Sequence, residues 1–272
     1  MSVIRSITSF LAFLCYALFF GLATLVLPLL AFVVGNMPSH FMGLMARKIG
    51  VVWAKIAIRS TFSRIIFHNR NKIISKGSLY VVNHQAFVDI FLVLGYLKKD
   101  FLFLSKKEVF DSPFVGWAMK GARYLSLNRE IPREAAKTTL DTIKKAKEGY
   151  NILIFPEGTY SENPFEMLEF KGGVAAIAQK SKAPIVPIVL YGTKRLIDPN
   201  KSFFKLKPTK LHIGVLDPIL ATDPKHPCNI KDKKQTVQFL DDLKNDMQQE
   251  HNRLAKLSPK HKLYHEEFKL SV

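Results

Sequence analysis

A chain of 272 residues has room for one large domain, or one domain with an appendage. Its 40 lysines and arginines outnumber 22 acids for a net charge of +18, yet 48% of residues are hydrophobic, which excludes wholesale disorder. Two distant cysteines, Cys15 and Cys228, exclude a disulfide scaffold and a cysteine-built zinc site.

Residues 6–35 carry no charge and are apolar on every side. As a helix they would run about 45 Å, longer than the roughly 30 Å hydrocarbon core of a bilayer. A cleavable signal has a shorter apolar core, of about 7–15 residues. The segment therefore reads as a membrane anchor. Pro28 lies inside it, so a straight span, a helical hairpin and an in-plane wedge all remain open.

Residues 39–64 place Phe41, Leu44, Ile49, Val52, Trp53 and Ile56 at helical spacing among Arg47, Lys48, Lys55 and Arg59. Such a helix suits an anionic leaflet, with Trp53 at headgroup level. It equally suits packing on the next domain. Beyond about residue 67, short apolar runs alternate with helical stretches. Strands are expected at 79–82, 102–105, 124–127, 152–155, 185–192 and 211–216, and helices at 87–97, 133–149 and 173–182. This alternation predicts an α/β fold with a largely parallel central sheet flanked by helices. Residues 231–257 are charge-rich with one apolar stripe, as in a terminal helix docked on the domain.

A histidine with a carboxylate on its far nitrogen is the usual base for catalysis near pH 7. With 8 histidines and 11 aspartates, fewer than one His–Asp spacing of five is expected by chance. The chain has two. His212 and Asp217 fall at either end of an expected strand, about 16 Å apart, and cannot touch. His84 follows a strand directly, and Asp89 falls in the first turn of the next helix. There the chain reverses, at the strand edge where α/β proteins place their sites. Local pattern leaves His84 open between a catalytic role and a capping or core one.

Three further features would join that edge if the strands run parallel. Pro156, Glu157 and Gly158 end the strand 152–155. Lys106, Lys107 and Arg129 lie next to strand ends, where cations would hold a phosphate. Lys171 stands before a helix start, which also suits an anion.

Four blocks then occur in order: NHQAFVD at 83–89, SKKEVFDSPFVG leading to LNR over 105–129, FPEGTYS at 155–161, and IVPIVL at 185–190. They resemble the motif blocks of the glycerolipid acyltransferases, most closely the bacterial 1-acyl-sn-glycerol-3-phosphate acyltransferases. The resemblance covers roughly 65–220. It implies His84 as general base and Asp89 as its orienting partner. It assigns Asn83, Glu157, Gly158 and Thr159 to substrate binding, with Lys106, Arg129 and Lys171 on the phosphate. It places Pro187 near the acyl donor. Acyl-CoA or acyl carrier protein would be co-substrate, with no metal or other cofactor and no covalent acyl-enzyme. The partners implied are lysophosphatidic acid and membrane lipids, and the product is phosphatidic acid. No nucleic-acid motif accompanies the charge.

The sequence departs from the family at Tyr160, where arginine is common, at Ala86, where serine is usual, and at Arg123, where a small residue is common. These changes bear on the acceptor. Two alternatives therefore stand: the same chemistry on another lysophospholipid or a lyso-ornithine-type lipid, and a non-catalytic basic membrane-binding protein. The expected organisation is an anchor and amphipathic helix over 1–65, an acyltransferase domain over 66–222 and a helical tail over 223–272. Bases beside the anchor favour the cytoplasmic side of an inner membrane.

Overall fold

The computed structural model describes residues 39–112, 115–196 and 208–258. The expected anchor, residues 6–35, lies outside these. Among the described residues, no helix is long and apolar enough to cross a membrane.

Seven strands form one sheet: β1 (Arg64–His68), β2 (Leu79–Val82), β3 (Leu102–Lys106), β4 (Leu125–Leu127), β5 (Ile152–Ile154), β6 (Ile185–Tyr191) and β7 (Lys210–Val215). Their order is β1-β7-β6-β2-β5-β3-β4. Every neighbouring pair is parallel except β6 and β7. The central strands are unbroken apolar runs because both faces are covered, so neither face needs a polar alternate.

Strand periodicity divides these runs between two cores. Leu79 and Val81 of β2 face one cluster with Ile152 and Ile154 of β5, while Tyr80, Val82 and Leu153 face the other. The first cluster is closed by α5 (Pro132–Lys147), α6 (Gly173–Ser181) and α8 (Lys233–Leu257). The second is closed by α1 (Ser39–Ser60), α2 (Val88–Tyr96), α3 (Lys107–Asp111), α4 (Val115–Gly121) and α7 (Thr193–Leu196). Truncating a fully buried leucine such as Leu79 in such a core costs about 2–5 kcal/mol.

Helix α1 packs against α2. A Cβ on Gly95 would stand 3.1 Å from the Lys55 amide nitrogen, so glycine permits this close crossing. Trp53 takes part in the same contact, its ring edge-on to Phe91 at 4.5 Å and only part-exposed. Arg47 is not a surface base either. Its buried guanidinium makes two bonds to the Asp100 carboxylate, at 2.7 and 3.0 Å, and a third to the Ala122 carbonyl at 3.0 Å. Phe41, Val52 and Ile56 remain exposed on the helix.

Two expected boundaries fall inside this architecture. β1 spans Arg64–His68, so a division at residue 65 cuts a strand of the sheet. Helix α8 lays Phe239, Leu240, Leu243 and Met247 into the same core as β2 and α6. It starts on the Asp232 side chain, which accepts from the Lys234 amide. Sheet and tail therefore share one core among the described residues.

Candidate active site

The carboxyl ends of β6, β2, β5, β3 and β4 lie side by side, and the sequence-marked residues follow from them. β2 ends at Val82 and α2 starts at Val88, so residues 83–87 form the reversal between them. Asn83 pins its base. Its amide donates to the Leu190 carbonyl at 3.1 Å and accepts from the Leu190 amide at 2.6 Å. These two bonds clasp β2 to β6 and satisfy both ends of a buried amide.

Asp89 is fully buried in the first turn of α2. One of its oxygens, Oδ2, receives three donors: His84 Nδ1 at 2.9 Å, the Gln85 amide at 2.6 Å and the Ala86 amide at 2.7 Å. The carboxylate on Nδ1 fixes the tautomer and leaves Nε2 as the basic nitrogen. The ring is also held sterically. Phe155 stacks on it at 4.1 Å and 14°, and Tyr160 meets it edge-on at 5.8 Å.

Glu157 follows β5, one strand away, and is buried. Its Oε1 accepts from the His84 amide at 2.7 Å and its Oε2 from the Leu168 amide at 2.8 Å. Burial pushes its pKa up to about 7, against the opposing pull of those two N–H donors. Both oxygens are committed to backbone. Glu157 therefore braces the His84 turn against the segment leading to α6.

Gly158 adopts φ +76, a left-handed backbone, and a Cβ there would overlap the Arg129 guanidinium. Glycine is required on both counts, and Arg129 reaches the turn through that gap. Its Nη1 lies 3.5 Å from the Gly158 carbonyl. Thr159 and Tyr160 are exposed, and the Ser161 amide returns to the His84 carbonyl at 3.2 Å. Lys106 closes β3, and Lys171 precedes α6 with its amide on the Pro156 carbonyl at 2.9 Å. Among the described residues neither ammonium is held in an ion pair.

The structure adds residues that the motifs do not mark. Lys194 follows β6 and donates to the Ser161 carbonyl at 3.0 Å. Its position just past a predicted strand, at the same sheet edge, was the available signal. Gln85 donates through Nε2 to the Pro164 carbonyl at 2.7 Å and meets His251 Nε2 of α8 at 2.7 Å. Nothing local in the sequence marks His251. His212 lies elsewhere, buried in β7, with Nδ1 3.0 Å from His68 Nε2. Asp217 does not reach it and pairs with Lys72 at 2.8 Å.

The family model described as Acyltransferase matches residues 64–191. Over 162 residues the chain is 31% identical to the 1-acyl-sn-glycerol-3-phosphate acyltransferase of Bacillus subtilis, covering 59% of this chain and 76% of that one. It is 32% identical over 183 residues to a chloroplastic protein of the same name from Arabidopsis thaliana, covering 66% of this chain and 50% of that one. The chain thus spans about half the length of the chloroplastic relatives it matches. Its fold is shared with the crystal structure of the 1-acyl-sn-glycerophosphate acyltransferase PlsC from Thermotoga maritima. The TM-score is 0.68 at 22% identity, over 92% of this chain and 95% of that one. On this sequence match, the chain belongs to the acyltransferase family that includes the 1-acyl-sn-glycerol-3-phosphate acyltransferases.

Proposed function

We propose that the protein transfers a fatty acyl group from an acyl thioester to the sn-2 hydroxyl of 1-acyl-sn-glycerol-3-phosphate, giving phosphatidic acid. The observation that carries this reading is the His84–Asp89 pair at the carboxyl edge of the sheet, with Nδ1 occupied at 2.9 Å. His84 Nε2 takes the hydroxyl proton as the oxygen attacks the thioester carbonyl. Buried Asp89 supports the imidazolium that forms. The tetrahedral adduct collapses, the C–S bond breaks, and the thiolate leaves on coenzyme A or acyl carrier protein. No covalent acyl-enzyme and no metal enter the scheme. Arg129, Lys106 and Lys171 supply positive charge at the edge for the acceptor phosphate. Residues 6–35 would hold the domain at the cytoplasmic face of the inner membrane, where substrate and product both reside.

The test is thioester turnover by detergent-solubilised protein with lysophosphatidate, beside His84→Ala. The variant is expected to lose about two to four orders of magnitude. No His84-dependent turnover with any lysolipid acceptor would remove the enzyme reading. A second reading, the same chemistry on a different lysolipid, is favoured by Tyr160. Its neutral ring, half exposed beside His84, occupies a position where the family commonly has arginine. His84-dependent turnover only with another lysophospholipid or a lyso-ornithine lipid would select it.

A further inference from the structure

Lys194 enters the reacting edge from β6, the strand beside β2. Its ammonium is tied to the His84 turn through a single residue. Ser161 donates its amide to the His84 carbonyl and accepts Lys194 Nζ on its own carbonyl, at 3.2 and 3.0 Å. The Tyr160 ring repeats the link. Its centre is 5.8 Å from the His84 ring and 5.5 Å from Lys194 Nζ. Lysine and imidazole thus flank one tyrosine, and the ring face favours a cation.

The ammonium is half-buried, and burial lowers its pKa from the ordinary 10.5. The charges of Glu162 and Asp89 act in the opposite direction. Among the described residues neither carboxylate comes within ion-pair distance of it. An ammonium has three donors, and the Ser161 carbonyl takes one. A partly desolvated charge with donors to spare is stabilised by an anion that reaches it.

The shape of the acceptor says where that anion lies. Four covalent bonds separate the reacting sn-2 oxygen from phosphorus, so the headgroup must sit close to the imidazole. Two cations flank the 157–161 turn next to it: Arg129 against Gly158, and Lys194 against Tyr160 and Ser161. We infer that Lys194 is a phosphate-binding residue, taking the acceptor's phosphate monoester together with Arg129 across the 157–161 turn. The choice of lysophosphatidate as ligand rests on the function proposed above; the site itself requires only a phosphate monoester.

Two measurements on the full-length, detergent-solubilised protein test this. The first is phosphorus NMR line broadening of sn-glycerol 3-phosphate, which reads binding without turnover. Lys194→Gln keeps a donor for the Ser161 carbonyl and removes the charge. It should weaken binding about tenfold or more, and Lys194→Arg should restore most of it. The second is kinetics with lysophosphatidate, where Lys194→Gln should raise KM by a similar factor and change kcat by less than about threefold. A packing role would instead lower kcat and melting temperature, without rescue by arginine. If the glutamine variant does not fold, Lys194→Met takes its place. Equal binding by wild type and variant, or no binding by wild type, overturns the inference. Lys194-dependent phosphate binding without lysophosphatidate turnover would uphold it and overturn the proposed acceptor.

Discussion

His84 and His212 each have an aspartate five residues on, and the fold treats them in opposite ways. His84 stands where β2 gives way to α2, so the chain doubles back and Asp89 meets Nδ1 at 2.9 Å. His212 lies within β7, where five residues of extended chain carry Asp217 out to Lys72. Its ring meets another histidine instead. His68 and His212 stack within 5° of parallel and share one contact at 3.0 Å, leaving His212 Nε2 buried without a partner among the described residues. A carboxylate on Nδ1 orients the His84 ring. A second imidazole in a closed core resists charge. Burial, with the field of nearby bases, lowers the His212 pKa to about 4.

The contrast can be tested from both sides. The largest effect expected is on turnover in His84→Ala, a loss of about two to four orders of magnitude. His212→Ala should stay within about threefold of wild type in the same assay. Asp89→Asn comes next, with a loss of about two orders of magnitude or more. Asparagine keeps an accepting oxygen for the turn amides but not the charge that stabilises an imidazolium.

The His212 arm is read through stability. A histidine depressed from 6.5 to about 4 stays neutral in the fold while the unfolded chain takes up a proton. Its favourable contribution is complete above pH 6.5 and declines as pH falls toward 4. The pH dependence is confined to that window. Chemical denaturation at several pH values should show this slope in wild type and a flatter one in His212→Gln. Equal slopes would mean that His212 is not the group being titrated. The smallest effect is expected at His251→Ala. Gln85 would lose one partner and keep the Pro164 carbonyl, at a cost of about 1 kcal/mol. A severalfold fall in kcat with KM unchanged would show that α8 supports the site. Unchanged kcat would confine that helix to packing.

Much of the fold was legible because it rests on short-range pattern. The runs at β2 and β6 are apolar without interruption, and every residue of both strands is buried. His84 and Asp89 needed only their spacing and a strand-to-helix turn between them. β1 was not legible: RIIFH reads equally well as the end of the amphipathic helix before it, and its pairing partner β7 lies far along the chain. Arg47 read as a surface base because nothing local announces Asp100 or the Ala122 carbonyl. Glu157 was placed at this edge, but its two backbone donors were not legible, since they come from separate segments.

By itself, then, the sequence determined the α/β class, and it singled out the sheet edge, the histidine and the aspartate proposed to carry the chemistry. Periodicity and turn position decide these, and both act over a few residues. Only the tertiary structure decided what Asn83, Glu157, Lys194 and His251 contact. Their partners are set by the order β6-β2-β5 and by where α8 docks. Strand order brings Leu190 to Asn83 across 107 positions of chain. A buried polar group takes whichever partner that packing presents, whatever its separation along the sequence.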